Sequence, residues 1–334
     1  VRKALKADPS ITHVYFNDAL CGMGAAAVRK CSKAKTAVTV HGLDAVFPNA
    51  WFQKRFAWNL TSNIDAAIAV SEATAEEIRK RGIPSEKVFT VANGVDLSLS
   101  DIPADPAVVA SLEQKLGFSF KEKKVLVSIG RSVRRKGFSW FINNVVPKLD
   151  KDIVYVIIGP RQEDIHRINF YLSLLPKSLA YQISLMGVGV DAVDIDKALV
   201  REDVKGKAMH LGKVSFAELV QLCKHSYAFV MPNIRIHGDA EGFGLVALEA
   251  VMNGTAAVVA GIEGITEAIK DGENGIYVES GNADAWVKTI HDLCADRPRR
   301  DALVAKGMEF TKRNFSWKKM SDNYIDTFRR ICQI

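Results

Sequence analysis

Short apolar runs alternate with helical patterns along most of the chain, and this alternation constrains the fold more than any other feature. Strands and helices that alternate in this way form parallel sheets joined by crossover helices. The predicted strands are His13 to Phe16, Thr36 to Val40, Asp65 to Val70, Val88 to Val91, Val125 to Ile129, Val154 to Ile158, Tyr227 to Met231 and Thr255 to Ala260. Because they are mainly apolar and do not alternate between apolar and polar residues, both sheet faces should be covered, and the sequence predicts an α/β fold.

The alternation lapses between Asp96 and Lys124, a stretch with proline and aspartate that we predict to be a linker, and then restarts. A chain of 334 residues also exceeds the size at which one core keeps growing. We therefore predict two Rossmann-like doubly wound domains facing a cleft, residues 1–104 and 105–313, and a helix over 314–334 that crosses back to the first domain. Only four strands fall in the first domain, which predicts that it is incomplete at its N-terminus.

Two segments lie outside the regular alternation of strands and helices. Ser316 can cap a helix with one apolar face, formed by Trp317, Met320, Tyr324, Phe328 and Ile331. The segment from Arg161 to Met209 is longer than a simple crossover, and its sequence indicates no chemistry.

Composition and charge exclude several classes of protein. Five scattered cysteines without a CxxC pair argue against disulfides or a zinc site and favour a cytoplasmic protein. The longest apolar runs are too short to span a bilayer. A net charge of +7 suits phosphorylated ligands and is too small to indicate nucleic acid. A solvated basic surface explains this charge better than a membrane role. Peripheral membrane contact stays an alternative, and the sequence does not decide whether a basic patch such as Lys54 and Arg55 meets a membrane.

The segment from Glu241 to Glu249 places a glycine-rich turn after a predicted strand and directly before a helix. Free backbone N–H groups at a helix start favour a phosphate, and glycines let it approach the backbone. On one helix the two glutamates would lie about 12 Å apart along the axis and about 80° apart around it. They are predicted to touch two ends of an extended ligand, although an isolated pair with this spacing is usually structural.

The loop from Gly130 to Gly137 follows the first strand of the second domain and carries four cations. Arg131 can contact phosphate oxygens in a bidentate manner, and Lys136 supplies a compact charge on a flexible stem. A lone basic loop is more often a solvated turn. Since this loop is predicted on the same sheet edge as Glu241, we expect both to bind one diphosphate.

The sequence leaves the roles of two features of the first domain undecided. His41 ends a predicted strand, where a histidine can contact a ligand or simply stabilise a tight turn. Gly22, Gly24 and Ala27 match a dinucleotide fingerprint, with Asp44 further along, and this would make the domain a nicotinamide-binding module. Asp44 lies past His41 and not at the strand tip, which weighs against that alternative.

Together these motifs resemble the retaining glycosyltransferases of family 4, which have the GT-B fold, and the resemblance covers nearly the whole chain. The matching segments are His41-Gly-Leu-Asp44, Ala69-Val-Ser-Glu-Ala-Thr74, Ala92-Asn-Gly-Val-Asp96, Gly130-Arg131, Lys136-Gly137, Leu211-Gly-Lys-Val214, Glu241 to Glu249, Gly264-Ile-Thr-Glu-Ala268 and Asp271-Gly-Glu-Asn-Gly275. The family normally begins with a further strand and a glycine-rich loop, and neither precedes His13.

The resemblance implies a role for each matching residue. Glu241 and His41 would act on the transferred sugar. The implied donor-binding residues are Arg131 and Lys136 on the diphosphate, Glu249 on the ribose, Val214 near the base, and the backbone of Gly242, Phe243, Gly244 and Leu245. No cofactor or metal is expected, because the two cations can stabilise the leaving diphosphate.

The resulting prediction is a retaining glycosyltransferase that moves a sugar from a nucleoside diphosphate sugar to a lipid-linked or polysaccharide acceptor in cell-envelope synthesis. An NAD-dependent oxidoreductase and a non-catalytic nucleotide-sugar-binding protein remain as alternatives. No nucleic-acid partner is expected.

Overall fold

The computed structural model describes residues 1–161, 171–185 and 190–333. They form two compact units, each with its own parallel β-sheet, which confirms the predicted α/β class with two Rossmann-like domains. The first unit comprises residues 1–94, 237–243 and 317–334, and the second comprises 95–236 and 244–316. No helix among these described residues is both long and apolar enough to span a membrane.

The sheet of the first unit has four parallel strands in the order β1-β2-β3-β4. They are β1 (His13–Phe16), β2 (Lys35–Val40), β3 (Ala66–Ala69) and β4 (Val88–Thr90). Val38 of β2 lies opposite Ala67 of β3, and both are buried. All four strands were predicted from their apolar character.

Six helices belong to the N-terminal part of the first unit. They are α1 (Arg2–Ala7), α2 (Ala19–Gly22), α3 (Ala25–Arg29), α4 (Leu43–Val46), α5 (Ala50–Asn63) and α6 (Glu72–Lys80), and a 3₁₀ turn follows at Ser85–Lys87. Side chains cap the longer ones: Asn49 accepts a hydrogen bond from the Phe52 N–H at 2.9 Å, and Ser71 accepts one from the Thr74 N–H at 3.1 Å. These caps satisfy N–H groups that a helix start leaves free and so set where α5 and α6 begin.

The sheet of the second unit has six parallel strands in the order β10-β9-β8-β5-β6-β7. They are β5 (Lys124–Ile129), β6 (Ile153–Ile158), β7 (Ala208–Gly212), β8 (Ala228–Met231), β9 (Ala256–Ala260) and β10 (Ile276–Val278). The chain runs outward from β5 through β6 to β7, then returns to β8 on the other side of β5. β7 and β10 were not predicted, since neither is a long β-branched run.

Nine helices belong to the described part of the second unit. They are α7 (Pro106–Leu116), α8 (Phe138–Asn144), α9 (Lys177–Leu185), α10 (Val190–Leu199), α11 (Phe216–His225), α12 (Leu245–Met252), α13 (Ile265–Ala268), α14 (Ala283–Ala295) and α15 (Arg297–Asn314), with 3₁₀ turns at Leu97–Asp101, Arg134–Lys136 and Val146–Lys148. The segment predicted as irregular, Arg161 to Met209, contains α9, α10 and part of β7, while residues 162–170 and 186–189 lie outside the described residues.

The boundary between the two units falls between Gly94 and Val95 of the chain, whereas the sequence predicted a boundary after residue 104. Leu112 and Leu116 of α7 are buried, and α7 packs on α11 of the second unit. The segment predicted as a linker therefore contributes to the second core, because its helix has an apolar side that the polar composition of the segment concealed.

The last helix, α16 (Trp317–Gln333), belongs to the first unit. Its predicted apolar face packs on the sheet there, with Ile331 buried among Ala37, Ala66 and Ile68. The Tyr324 hydroxyl lies 2.9 Å from the Thr39 hydroxyl of β2, which anchors the helix to the strand. Trp317 differs from the prediction, since 57% of its surface is exposed.

Candidate functional site

The direction of the chain connections in the second unit reverses between the neighbouring strands β5 and β8. The chain passes from β5 to β6 in one direction along the strand order and from β8 to β9 in the opposite direction. The topology therefore reverses between the neighbouring strands β5 and β8. In open α/β sheets, ligands bind outside the carboxyl ends of the strands at such a reversal. Within the second unit, the loop Gly130–Gly137 follows β5, and Gly244 and Leu245 at the start of α12 come after β8, so these predicted donor-binding residues lie on the two sides of this point.

Glycines pack the loops after β5, β6 and β8 directly against one another. A Cβ atom on Gly137, whose φ is +67°, would lie 2.0 Å from the Pro232 carbonyl oxygen that follows β8. A Cβ atom on Gly159, which follows β6, would lie 1.9 Å from the Gly130 carbonyl oxygen. No other residue fits at either position without moving the backbone, so the cationic loop has a fixed place at the sheet edge.

Lys136 and Arg131 occupy different environments in this loop. Lys136 is only 8% exposed, and its Cε atom would lie 3.4 Å from a Cβ atom on Gly130. The side chain therefore runs along the start of the loop, beside the end of β5. Arg131 is exposed. A buried ammonium group beside a glycine loop is well placed to neutralise an anion, while an exposed guanidinium can reorient to meet one.

A buried hydroxyl in the same loop was missed in the sequence. Ser132 is 5% exposed, and its Oγ atom has no hydrogen-bond partner among the described residues. Buried hydroxyl groups usually have a hydrogen-bond partner, so one without a partner in a predicted phosphate-binding loop is a candidate ligand contact. A serine in a basic loop, between Arg131 and the 3₁₀ turn Arg134–Lys136, carries no motif signal, so only burial could reveal it.

The start of α12 offers uncapped backbone N–H groups. Gly244 takes the left-handed conformation with φ +90°, and the helix begins at Leu245 without a side-chain cap. The Ala247 N–H bonds to the Gly244 carbonyl at 2.9 Å, while Leu245 and Val246 are only half-buried. This N-terminus carries the positive end of the helix dipole, which suits the predicted phosphate contact at Gly244 and Leu245.

Glu249 lies on α12 as a half-buried carboxylate that makes no hydrogen bond or ion pair with the described residues. Burial raises the pKa of its carboxyl, and no cation or hydrogen bond offsets that effect. An uncompensated carboxylate costs stability unless something else uses it. Its environment is therefore that expected of a ligand-binding group.

The prediction that one helix carries both glutamates is wrong. α12 begins at Leu245, and Glu241, Gly242 and Phe243 precede it in residues 237–243, which belong to the first unit. The left-handed Gly244 interrupts any helix before that point, so the calculated 12 Å separation does not apply. The two carboxylates stand on different units.

The structure brings Glu241 and Gly242 next to His41 within the first unit. A Cβ atom on Gly242 would lie 1.9 Å from the His41 carbonyl oxygen, and one on Gly42 would lie 2.8 Å from the Gly242 Cα. Gly42 has φ +111°, a conformation open to glycine. Two glycines about 200 residues apart in the chain thus allow these two backbone segments to touch.

The His41 ring has a defined hydrogen bond. Its Nε2 atom lies 2.7 Å from the Asn17 carbonyl oxygen, which can only accept, so Nε2 carries the proton and donates. That leaves Nδ1 as an acceptor when the ring is neutral. The His41 backbone N–H donates to Asp44 Oδ2 at 3.3 Å, and burial raises the pKa of the Asp44 carboxyl. Asp44 therefore supports the turn at His41.

The dinucleotide alternative does not fit this geometry. The fingerprint requires its first glycine at the tight turn between strand and helix. Here Gly22 is the last residue of α2, and a Cβ atom there would lie 2.9 Å from the Val38 side chain, so Gly22 packs on the sheet. Gly24 has an ordinary right-handed conformation before α3. These residues serve packing and do not form a phosphate-binding turn.

Val214 follows β7 and is half-buried before α11, whose first turn is closed by a capping box between Ser215 and Glu218. β7 is separated from β5 by β6. Neighbouring strands are about 4.8 Å apart, so the end of β7 lies about 10 Å from the end of β5 on the same sheet edge. This distance suits a base held beyond the diphosphate.

A second residue missed in the sequence supports the helix that follows the cationic loop. Asp191 of α10 is 2% exposed, accepts a hydrogen bond from the Ser139 N–H at 3.4 Å, and accepts another from the Ser139 hydroxyl. Burial raises the pKa of this carboxyl, although the Ser139 bonds oppose the effect. Asp191 thus holds the first turn of α8, directly after Gly137.

Within the described residues no group of three acidic, histidine or cysteine side chains could hold a metal ion.

Comparison with known families assigns both parts of the chain. Residues 112–310 match the model described as "Glycosyl transferases group 1", and residues 1–99 match "Glycosyltransferase Family 4". The first match covers more than half of the 334 residues.

Similar curated proteins are glycosyltransferases. An uncharacterized glycosyltransferase of Methanocaldococcus jannaschii is 25% identical over 263 residues, 78% of this chain and 59% of the relative. Another from the same organism is 23% identical over 329 residues, 95% of this chain and 73% of the relative. A D-inositol 3-phosphate glycosyltransferase of Xylanimonas cellulosilytica is 25% identical over 270 residues, 79% of this chain and 56% of the relative. The chain thus spans less than two thirds of two of these three proteins.

Solved structures of the same fold cover the chain almost completely. HepE of Anabaena in complex with UDP-glucose has a TM-score of 0.78 at 17% identity, with 98% of this chain and 81% of that chain covered. Sucrose-phosphate synthase from Thermosynechococcus elongatus has a TM-score of 0.72 at 18% identity, with 99% and 76% covered. These similarities confirm the predicted GT-B fold.

Proposed function

Because this chain belongs to the group 1 glycosyltransferases of family 4, we propose that it transfers a sugar from a nucleoside diphosphate sugar to an acceptor hydroxyl. The observation that carries the proposal is the topological reversal between β5 and β8, which is flanked by the buried Lys136 and the uncapped start of α12. A pyrophosphate is an anion that both features attract.

The donor is proposed to lie along the carboxyl edge of the second sheet. Lys136, Arg131 and the amides at Gly244 and Leu245 hold the diphosphate, Glu249 accepts from the ribose hydroxyls, and Val214 lies near the base. The base is proposed to be uracil, because the HepE protein was crystallised with UDP and with UDP-glucose. The half-buried position of Glu249 supports its role, since a neutral diol can satisfy its oxygens without an ion pair.

In the reaction, the bond between the anomeric carbon and the diphosphate oxygen breaks, the acceptor oxygen bonds to that carbon on the same face, and its proton passes to the departing diphosphate oxygen. Negative charge grows on the departing oxygen, and positive character grows on the sugar. The negative charge on the departing oxygen is stabilised electrostatically by Lys136, Arg131 and the helix-start amides. The proposed reaction therefore needs no metal ion. Glu241 and His41 of the first unit are assigned to the sugar and its reacting face, with retention of anomeric configuration.

The acceptor is proposed to be a lipid-linked or polysaccharide hydroxyl of the cell envelope, and the protein is proposed to work in the cytoplasm with peripheral contact to a membrane. The net charge of +7 is consistent with attraction to an anionic ligand or surface, although it does not distinguish the two.

Calorimetric titration with UDP, GDP and ADP tests the donor site in the absence and presence of EDTA. We expect UDP to bind best and EDTA to leave its affinity unchanged. Hydrolysis of UDP-glucose or its transfer to an acceptor then distinguishes an enzyme from a protein that only binds the nucleotide sugar. If none of the three nucleotides binds, the proposed donor site is wrong.

A further inference from the structure

Helix α5 exposes two tryptophans on one face. Trp51 is 75% exposed and Trp58 is 47% exposed. Seven residues make about two helical turns, so the two indoles lie on the same side of α5, about 10 Å apart along its axis. The opposite side buries Phe56 and Leu60 in the core of the first unit. Large aromatic groups exposed together in this way mark an interaction surface.

Cations accompany these indoles. Lys54 and Arg55 lie between them in sequence, and the Arg55 guanidinium carbon lies 4.3 Å from the centroid of the Trp58 ring. At the end of the helix, Lys87 donates to the Thr61 carbonyl at 2.7 Å and adds a further positive charge. The 14 residues of α5 include no aspartate or glutamate. The surface is therefore aromatic and cationic, and it complements an anionic surface with an apolar layer beneath it.

The start of α5 lies beside the loop that carries Glu241. A Cβ atom on Gly238 would lie 2.7 Å from the Pro48 ring, and Pro48 comes directly before the Asn49 cap of α5. Residues 237–243 and α5 belong to the same unit. Trp51, in the first helical turn, is therefore near the loop that carries Glu241.

We propose that the exposed face of α5, formed by Trp51, Lys54, Arg55 and Trp58, docks on an anionic lipid bilayer. Indole rings favour the headgroup level of a bilayer, and a helix with a basic and aromatic face lies parallel to that surface. Lysine and arginine side chains near the surface are attracted by anionic lipids. Resting on the proposed glycosyltransferase function, this placement further identifies the acceptor as lipid-linked, because a bilayer at α5 brings lipid headgroups close to the Glu241 loop.

Vesicle sedimentation tests this docking. The protein is expected to bind vesicles made of equal parts phosphatidylglycerol and phosphatidylcholine, and to bind phosphatidylcholine vesicles much more weakly. Replacing both cations, Lys54→Gln with Arg55→Gln, is expected to weaken anionic-vesicle binding about fivefold per charge. High salt should produce a similar loss because it screens the attraction. The pair Trp51→Ala and Trp58→Ala should weaken binding on its own.

Tyr171→Ala serves as the matched control, because Tyr171 is 60% exposed and lies on the second unit. It should leave vesicle binding unchanged. The α5 variants should bind UDP as the unchanged protein does, so that failure of the donor-site proposal and failure of this one are told apart. The inference is overturned if the α5 variants sediment with anionic vesicles like the unchanged protein. It is likewise overturned if the tryptophans prove necessary for self-association in solution and vesicles of neither composition are bound.

Discussion

Replacing Glu249 with glutamine separates a ligand-binding carboxylate from a structural one. The substitution keeps the side-chain shape and removes the charge. In the folded protein this carboxyl is half-buried, has no hydrogen bond or ion pair with the described residues, and has a pKa raised by burial. A structural carboxylate would lose partners on substitution and destabilise the fold, whereas Glu249 has none to lose among those residues.

The pH dependence of stability follows from the direction of this pKa shift. The folded state keeps the proton at pH values where the unfolded chain has already lost it, so ionisation of Glu249 destabilises the fold as the pH rises from 4.5, the ordinary value, through the raised pKa. Glutamine carries no charge at any pH. Glu249→Gln should therefore unfold at a higher temperature than the unchanged protein above the raised pKa, and the difference should vanish below pH 4.5.

Nucleotide affinity should change in the opposite direction. A hydrogen bond to a charged group contributes about 1.5–3 kcal/mol, and loss of about 2 kcal/mol corresponds to roughly thirtyfold weaker UDP binding. Because the ionised carboxylate is the better acceptor, affinity of the unchanged protein should rise with pH through the raised pKa, and this step should be absent in the variant.

Calorimetric titration of UDP and thermal unfolding across a pH series measure both effects on the same samples. Glu202→Gln is the control, since the side chain of Glu202 is 89% exposed on the same unit. Unchanged UDP affinity, or lower stability of Glu249→Gln at alkaline pH, would refute the reasoning.

Three further substitutions test the loops around the sheet edges. Lys136→Met should weaken UDP binding by about 1.5–3 kcal/mol and uridine binding hardly at all, and equal losses for both in titration would contradict a diphosphate contact. Gly242→Ala should lower stability by about 1–3 kcal/mol and reduce transfer, because its Cβ would lie 1.9 Å from the His41 carbonyl oxygen; an unchanged melting temperature would exclude this close contact. Asp191→Ala should raise the KM for the donor more than it lowers kcat, since it frees the first turn of α8 at Ser139, and steady-state kinetics with an unchanged KM would rule this out.

The strands that were predicted are those whose signal is local. Each is a short apolar run that any parallel sheet would bury, and β6, Ile153–Ile158, is buried along its whole length. The two missed strands lie at the edges of the second sheet. β7 contains methionine and histidine, and β10 has three residues, so only pairing with β6 and β9 makes them strands.

The candidate site likewise has features that could be predicted from the sequence and features that could not. The glycine turn before α12 and the basic loop after β5 were recognisable because glycines and cations at strand ends act locally through backbone geometry and charge. The environment of each charged group could not be recognised from the sequence. Lys136 is buried, Arg131 is exposed and Glu249 is uncompensated only because of what surrounds them.

The sequence by itself determined the α/β class, the two-unit organisation and the cationic and glycine-rich segments at the strand ends, since hydrophobic period, turn residues and charge act over a few neighbouring positions. Tertiary structure alone decided that residues 237–243 join the first unit and that Gly242 meets His41. It also decided that Asp191 supports α8. The reason is physical: these contacts join segments distant in the chain, and their formation depends on how packed sheets and helices fit together.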